Sequence, residues 1–258
     1  MDGLMAGWDM VAEPDEQFYL AQYWHWLEPL LDGLSADARI LDIGCGQGRL
    51  TLPLAEGAPH ATVVGIDLSE EVLALARTYL AARDLRNVEL HAADAVAFLA
   101  DEPDGSADLV LFLEVTQWME GYREALAEIA RVLKPGGSLF ASLRTQYYQL
   151  LREVQENNFD AARTARDARS GQLGDTPVRF NWHTAEDVRT LFAELGFDSV
   201  RLYAIGAVSG TDKDPLSGIA HPSRLPEETR AQLLDLELSL AEQYAGYGRY
   251  TAAVATKK

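Results

Sequence analysis

The sequence predicts an α/β fold in which helices cover a parallel sheet, and three observations lead to it. Short apolar segments of strand length alternate five times with helical segments between residues 38 and 145. A glycine-rich turn joins the first of these strands to the following helix. The chain has 258 residues, of which 48% are hydrophobic, enough for one large domain with a full core. Such alternation implies parallel strands connected by right-handed crossovers.

A helix rich in aromatic residues is predicted ahead of the first strand, from Asp15 to Leu31. Tyr19, Tyr23 and Trp26 fall on one of its faces, and leucines with a second tryptophan fall on another. A helix that only rests on a domain needs a single apolar face. The second face therefore predicts that this helix also covers something.

The first strand ends in a turn of three glycines at alternate positions, Gly44, Gly46 and Gly48. Such a turn lets a ligand approach the bare backbone, and the helix that follows offers unpaired N–H groups. The spacing differs from a dinucleotide fingerprint, because the third glycine comes one residue early. Asp42, just before the turn, would repel a pyrophosphate and attract a ligand that carries an ammonium group. The alternative is a glycine-rich turn with no ligand. Cys45, inside the turn, is either a nucleophile or a residue that fills a small space between the glycines, and its position favours the second.

Acidic residues follow the second and third predicted strands. Asp67 lies about 20 residues after the glycine turn, where nucleotide folds place a carboxylate on ribose hydroxyls. Ser69 is a good N-cap for the helix that follows. Asp94 stands just past the third strand, and whether it contacts a ligand or only caps the next helix stays open.

The fourth and fifth strands complete the regular part of the chain. Leu109 to Phe112 form a buried strand, and Glu114 emerges at its carboxyl end, where open α/β sheets bind ligands. An amphipathic helix runs from Tyr122 to Leu133, and Ser138 to Leu143 form the fifth strand.

The second half of the chain is less regular. We predict an insertion at residues 147–181, helical at first and then a loop over GQLGDTPVRF, and a second insertion at residues 208–248 that contains a helix. Between them a capped helix begins at Thr184 and a sixth strand follows. Residues 249–256 form the last strand.

Five segments carry a family resemblance: LDIGCGQG, GIDLS, AADA, DLVLFLEVTQWM and LKPGG. Their order and spacing resemble those of the class I S-adenosylmethionine-dependent methyltransferases, and they cover Ala38 to Thr145. The resemblance implies a Rossmann-like methyltransferase fold, a doubly wound, mostly parallel seven-stranded sheet with an antiparallel last strand. It also implies a single domain over residues 1–258, with an N-terminal helical cap at 1–37, a cofactor-binding core at 38–145 and a substrate lid formed by the two insertions.

The cofactor that the resemblance implies is S-adenosyl-L-methionine, with S-adenosyl-L-homocysteine as its product. The residues that the family motifs place around it are Asp42, Gly44, Cys45, Gly46, Gly48, Asp67, Leu68, Asp94, Ala95 and Leu113. Two branches of the family do not match. No N/D-P-P-Y/F motif, typical of N6-adenine methyltransferases, follows the fourth strand. Glu114 matches a glutamate of the quinone-pathway O-methyltransferases, but Trp118 stands where their histidine would be.

The expected substrate is a small molecule, a secondary metabolite with an O, N or C nucleophile, enclosed by the aromatic helix and the two insertions. The predicted substrate-binding residues are Tyr19, Tyr23, Trp26, Trp118, Tyr147 and Trp182. His183 and Glu114 are the candidate catalytic groups. A base is needed only when the nucleophile must lose a proton. The structural alternative for His183 is a histidine beside a helix N-cap.

Two other classes of function fit the same motifs. One is a non-methylating enzyme on this fold, such as a cyclase or isomerase, and the other is a binding protein that senses the cofactor. The role of the aromatic helix is open as well. It either closes over the site together with the first insertion, or packs permanently on the back of the sheet while the insertion forms contacts in a homodimer.

The formal net charge is −18, from 40 acidic and 22 basic residues. Because nucleic-acid binding needs basic groups, this balance argues against nucleic acid and anionic membranes as partners. No apolar segment approaches the length of a membrane span, and the N-terminus lacks the basic region of a signal peptide. With a single cysteine, these features predict a cytoplasmic protein. The five histidines are scattered without ligand spacing, so we predict no metal.

Overall fold

The computed structural model describes residues 9–172, 179–212, 216 and 219–258, and a sheet of seven strands forms its centre. The strands in chain order are β1 (Arg39–Ile43), β2 (Thr62–Asp67), β3 (Val88–Ala92), β4 (Ala107–Phe112), β5 (Leu133–Arg144), β6 (Ser170–Gln172), β7 (Arg179–Asn181), β8 (Phe197–Ile205) and β9 (Tyr250–Lys257). The large sheet has the order β3-β2-β1-β4-β5-β9-β8, and β6 with β7 forms a separate hairpin. In the large sheet β9 is antiparallel to both neighbours, and the other pairs are parallel. The predicted mostly parallel sheet with an antiparallel last strand is confirmed.

Helices cover both faces of this sheet. They are α1 (Pro14–Leu27), α2 (Thr51–Gly57), α3 (Glu70–Ala82), α4 (Ala95–Asp101), α5 (Tyr122–Val132), α6 (Gln146–Gln155), α7 (Phe159–Asp167), α8 (Ala185–Glu194) and α9 (Glu227–Leu240). Apolar side chains of α4, α5 and α8 share one core with the sheet, and those of α1 and α2 share a second core with it. Strands buried in this way appear in the sequence as continuous apolar segments, which is why they were readily predicted.

One edge of the sheet collects the ends of strands from distant parts of the chain. The parallel strands β1 to β5 and β8 end at this edge, and β9 begins there because it runs in the opposite direction. We call it the carboxyl edge. In the register between β5 and β9, Arg144 is paired with Tyr250 at this edge. The glycine turn and the starts of both predicted insertions also lie here.

Two segments differ from the prediction. The described part of GQLGDTPVRF contributes to the hairpin, in which Ser170 pairs with Asn181, whereas a loop was expected. Residues 173–178 of this segment lie outside the described residues. Strand β5 begins earlier than predicted, because Leu133 already pairs with Ala107 across a register shift.

The predicted helical cap is described from residue 9 onward, and its residues 1–8 lie outside the described part. Among the described helices, none has both the length and the apolar character that crossing a membrane requires.

Candidate functional site

The glycine turn after β1 has a backbone conformation that favours glycine. Gly44 has φ +76°, and a Cβ atom added there would clash with Cγ2 of Val115. Its backbone N–H donates to the carbonyl of Ile66. The N–H of Gly46 donates to the carboxylate of Asp67 at 2.9 Å. The turn is therefore fastened to the end of β2 at the carboxyl edge.

Cys45, inside this turn, is a packed residue. Its Sγ would lie 3.0 Å from a Cβ atom added at Gly65. Burial raises the pKa of the thiol, and the nearby carboxylate of Asp42 adds to this effect. A thiol that stays protonated is inert as a nucleophile. The packing of Cys45 favours a space-filling role over that of a nucleophile, and its contact with the cofactor stays a prediction.

Asp42 places a buried carboxylate beside the turn. Thr51, the first residue of α2, donates its hydroxyl hydrogen to this carboxylate at 2.6 Å. Burial raises the pKa of Asp42 to about 6, although the hydrogen bond from Thr51 opposes the rise. Near neutral pH the carboxylate is ionised in a poorly solvating environment. A ligand with an ammonium group would stabilise this anion.

Asp67 and Asp94 end β2 and begin α4 at the same edge. The two oxygens of Asp67 accept hydrogen bonds from backbone N–H groups, one in the glycine turn and one of Ser69, each at 2.9 Å. Each oxygen keeps a lone pair for another donor. The Oδ1 atom of Asp94 accepts from the N–H of Ala97 at 3.0 Å, so Asp94 caps α4. Its contact with a cofactor stays a prediction.

Three further residues predicted for the cofactor follow these strands. Leu68 directly follows β2, and its side chain is 75% exposed. Ala95 is the first residue of α4 and is half-buried. Leu113 follows β4 and is buried in the core on the α1 side of the sheet. An exposed leucine beside Asp67 offers an apolar surface to a flat ring.

Glu114 and Arg49 form the centre of a buried ion network. Nη2 of Arg49 donates to Glu114 at 2.7 Å, and Nη1 donates to Glu16 in the first turn of α1. Burial alone would raise the pKa of Glu114, but the guanidinium of Arg49, with smaller effects of Arg249 and Arg144, outweighs burial and lowers it. A carboxylate with a lowered pKa is a weak base. The contacts therefore favour a positioning role for Glu114, and its catalytic role stays a prediction.

His183 is enclosed at the end of β5. The residue is 2% exposed, and its Nε2 atom lies 2.8 Å from the hydroxyl oxygen of Tyr122. Its Nδ1 atom is buried with no hydrogen-bond partner among the described residues. Burial lowers the pKa of His183 to about 4, so the ring is neutral at pH 7. An enclosed imidazole with this pKa is a poor proton acceptor, which favours the structural alternative.

Trp182 and Trp118 belong to the small core of the first insertion. Trp182 is 2% exposed, and its Nε1 donates to the carbonyl of Ala165 at 3.1 Å. A Cβ atom added at Gly171 would lie 2.7 Å from its ring. Trp118 packs edge-on against Phe180, with 4.7 Å between ring centroids. Because these rings pack the insertion itself, a substrate contact with Trp182 would require the insertion to unpack.

The middle of α1 rests on the face of the sheet. Trp26 stacks on Tyr203 of β8, with 3.8 Å between ring centroids and 10° between the ring planes. Tyr23 is fully buried and lies edge-on to Phe140 of β5 at 6.1 Å. These contacts match the alternative in which the helix packs on the sheet.

The part of α1 from Glu16 to Tyr23 reaches the carboxyl edge. Glu16 joins the ion network there, and the hydroxyl of Tyr19 donates to the carbonyl of Ser209 in the second insertion at 3.0 Å. Tyr147, at the start of α6, is 40% exposed and lies edge-on to Tyr247. Tyr19 and Tyr147 are therefore near the edge, and the buried ring of Tyr23 lies 5.9 Å from the guanidinium carbon of Arg49. Trp26 lies farther along the helix, on β8.

Sequence reasoning missed two arginines at this edge. Arg144 ends β5, and Arg249 directly precedes β9. Their guanidinium carbons lie 4.1 Å and 5.8 Å from the ring centroid of Tyr250. The signal available in the sequence was a charged residue at the end of each of two apolar strands. It was overlooked because neither arginine belongs to a family motif.

Within the described residues, no three His, Cys, Asp or Glu side chains form a group that could hold a metal ion. Whether the protein works without a metal stays a prediction.

Comparisons with known proteins identify relatives along much of the chain. A family model for the methyltransferase domain matches residues 40–137. The chain is 31% identical over 202 residues to malonyl-[acyl-carrier protein] O-methyltransferase of Geobacter sulfurreducens. The matched region covers 73% of this chain and 68% of that protein. The chain is also 38% identical over 141 residues to trans-aconitate 2-methyltransferase of Methylobacterium nodulans, and this match covers 53% of this chain and 52% of that protein. Across the first relatives matched, the chain spans about half of the relative's length.

Solved structures share the fold. A SAM-dependent methyltransferase from Methanosarcina mazei has a TM-score of 0.58 at 22% identity and covers 87% of this chain and 94% of its own. The [4+2]-cyclase SpnF has a TM-score of 0.55 at 23% identity and covers 90% of this chain and 80% of its own. At such identities the likeness shows the fold alone. The same fold therefore occurs in a methyltransferase and in a cyclase.

Proposed function

This chain belongs to the class I S-adenosylmethionine-dependent methyltransferase family, and we propose that it transfers a methyl group from S-adenosyl-L-methionine to an O, N or C nucleophile of a small molecule. The proposal assigns the residues around the glycine turn to the cofactor. It assigns the space between that turn, the start of α1 and the first insertion to the acceptor.

The observation that carries the proposal is the set of groups gathered around the glycine turn. Asp42 offers a buried carboxylate to a cationic group, and Asp67 has lone pairs left for hydroxyl donors. Leu68 adds an exposed apolar surface beside them. Together they suit the ammonium group, the ribose hydroxyls and the adenine of the cofactor. The proposal extends this set to the other family-matched residues, including Asp94.

S-adenosylmethionine, when bound, supplies a methyl group that its sulfonium activates. The task of the protein is to hold the acceptor in line with that methyl group and to exclude water. Arg49, which follows the glycine turn, binds Glu114 after β4 and Glu16 of α1. These ion pairs support the proposal that the turn, the end of β4 and the start of α1 surround the site. Glu114 and His183 remain the candidate bases for an acceptor that must lose a proton.

The proposed acceptor is a small molecule. Trans-aconitate and malonyl groups appear in the names of two relatives, and these support an acceptor of small size. A secondary metabolite is our finer proposal. The net charge of −18 supports the further proposal that nucleic acid is no partner. A cytoplasmic location and a homodimer remain predictions.

Cofactor binding and turnover test the proposal in two steps. Calorimetry with S-adenosylhomocysteine should show saturable binding at one site per chain. Incubation with S-adenosylmethionine, a panel of small acceptors and a chelator should then release S-adenosylhomocysteine, and mass spectrometry should show products with one added methyl group. The chelator is included because we expect no metal requirement. A folded protein that does not bind S-adenosylhomocysteine would contradict the proposal.

A non-methylating enzyme is the competing function, because the SpnF cyclase has the same fold. Substituting S-adenosylhomocysteine for the methyl donor separates the two. Product formation under that condition would assign the chain to the non-methylating class, and cofactor binding without any turnover would assign it to the sensing class.

A further inference from the structure

Arg144 is a buried cation at the centre of the carboxyl edge. It is the last residue of β5 and is 5% exposed. Its guanidinium carbon lies 4.6 Å from the ring centroid of Tyr148 and 4.1 Å from that of Tyr250. The group is close enough to Glu114 to lower the pKa of that carboxyl, although less than Arg49 does. Arg144 therefore lies beside the ion network of the proposed site.

The partners of Arg144 are neutral. Its Nη2 donates to the hydroxyl oxygen of Tyr250 at 2.7 Å, and its Nη1 donates to the carbonyl of Arg249 at 3.5 Å. Within the part of the chain that the structure describes, its Nε is buried with no hydrogen-bond partner. Among the described residues, no carboxylate lies within 4.0 Å of this guanidinium. Arg49, in contrast, whose side chain is 10% exposed, is bound by two carboxylates, Glu16 and Glu114.

A buried guanidinium without a carboxylate is unusual, because a buried charge is costly unless it is paired and hydrogen-bonded. The two tyrosine rings compensate for part of this cost. They leave the Nε hydrogen unsatisfied, and such an orphaned donor in a native structure calls for a partner. An anionic ligand would supply both the missing charge and the missing acceptor.

The surroundings of Arg144 offer further donors to such an anion. The hydroxyl oxygen of Tyr250 accepts from Arg144 and also from Nε2 of Gln117 at 3.4 Å, so its own hydrogen remains to be donated. Arg249 faces the same two tyrosine rings, at 5.9 Å from Tyr148 and 5.8 Å from Tyr250. Two guanidinium groups and a phenol thus converge at the end of β5.

We propose that Arg144 binds a carboxylate of the methyl acceptor, so that the substrate of the proposed reaction is a small carboxylic acid. The inference rests on the proposed function and names its substrate class. A planar guanidinium matches a carboxylate in a bidentate geometry. A doubly charged phosphate fits less well, because Glu114 and Glu16 of the adjacent ion network repel the second negative charge. A buried water molecule is the competing occupant, since water also satisfies orphaned donors.

Equilibrium unfolding of the ligand-free protein provides the first test. If the site awaits an anion, Arg144→Met should raise the urea midpoint, because the variant removes an unpaired buried charge. Arg49→Met should lower the midpoint, because it leaves Glu16 and Glu114 without their partner. Arg163→Met serves as the exposed control and should change little, since its side chain is 66% exposed. A lower midpoint for Arg144→Met would assign the residue a structural role and overturn the proposal.

Ligand binding provides the second test, carried out with S-adenosylhomocysteine present. Acetate and benzoate should raise the melting temperature of the wild type saturably, whereas acetamide and benzamide at equal ionic strength should not. The shift should disappear in Arg144→Met and remain in Arg163→Met. A shift that survives in Arg144→Met, the absence of any saturable shift, or a larger shift with inorganic phosphate would overturn the proposal. If S-adenosylhomocysteine still binds while carboxylates cause no shift in the melting temperature, this inference fails and the proposed function stands.

Discussion

Asp42 is the residue whose ionisation should connect pH with the stability of the free protein. Its folded-state pKa of about 6 lies above the ordinary value of 3.8. Its contribution to stability is therefore fully present below pH 3.8 and is lost as the pH rises through about 6. The difference between the two values corresponds to at most about 3 kcal/mol. We expect Asp42→Asn to remove this loss and to raise the free energy of unfolding at pH 7 by about 1–3 kcal/mol, measured by urea denaturation between pH 4 and 8.

The same carboxylate should make cofactor binding depend on pH in the opposite direction. The ammonium group of S-adenosylhomocysteine favours ionised Asp42, so calorimetry should show affinity rising between about pH 5 and 7 in the wild type. The Asp42→Asn variant should bind more weakly and without this slope. A slope that persists in the variant would assign the pH dependence to another group.

Asp67 is the residue on which the ribose assignment depends. A carboxylate that binds two hydroxyls in a closed site contributes about 1.5–3 kcal/mol. Asp67→Ala should therefore weaken S-adenosylhomocysteine binding roughly ten- to a hundredfold in calorimetry. The variant also loses the hydrogen bonds to Gly46 and Ser69, so its fold must be verified by circular dichroism. Wild-type affinity in a folded Asp67→Ala protein would show the assignment to be wrong.

The sequence predicts a site residue well when its role depends on local spacing. Gly44 is an example, because its positive φ and its close approach to Val115 follow from a turn that the sequence displays. Arg144 was not recognised as a site residue, and the packing of Trp182 was not foreseen, because both depend on partners brought together by folding. Arg144 pairs with Tyr250, and Trp182 bonds to Ala165. Neither contact leaves a periodic pattern in the chain.

The helix α1 combines two of the roles that were considered for it. Its middle is held to the sheet by Tyr23 and Trp26, and its first turn is tied to Arg49 through Glu16. A lid that closes by moving the whole helix would break the stacked contact of Trp26 with Tyr203. We therefore expect closure, where it occurs, to involve the first turn of α1 and the helices α6 and α7.

Hydrogen exchange tests this view of the lid. On binding S-adenosylhomocysteine, protection should increase in the first turn of α1 and in residues 146–167, which pack at the carboxyl edge. It should stay constant over residues 23–27, because Tyr23 and Leu27 are already fully buried. Unchanged exchange in the first insertion would reject the lid, and a large increase over residues 23–27 would show that the whole helix moves.

Long strands were predicted from the sequence, and the two shortest strands were not. Most strands of the large sheet were recognised because they carry an apolar run, and β3 was recognised from Val88 and Leu90. The strands β6 and β7 have only three residues each. A three-residue strand shows no alternation, and the glycines in the segment favoured a loop. Its pairing is set by the packing of Trp182 beneath it, which the local sequence does not show.

At the level of the whole chain, the alternation of strands and helices predicted the fold class, and the family motifs supplied the strand order and the antiparallel last strand. Propensities alone do not order seven strands, because the order depends on crossover connections and contacts distant in sequence. The net charge of −18 is different, since it is read directly from the sequence and acts on the molecule as a whole.

This charge should steer the two forms of the cofactor differently. S-adenosylmethionine carries a net positive charge, from an ammonium and a sulfonium against one carboxylate, whereas S-adenosylhomocysteine is neutral overall. An acidic protein attracts the first over a distance set by the Debye length, which falls from about 30 Å at 0.01 M salt to about 3 Å at 1 M. Stopped-flow measurements should therefore show the association rate constant of S-adenosylmethionine falling at least about twofold over this range. That of S-adenosylhomocysteine should stay nearly constant, and an equal salt dependence for both ligands would show that the overall charge does not act at the site.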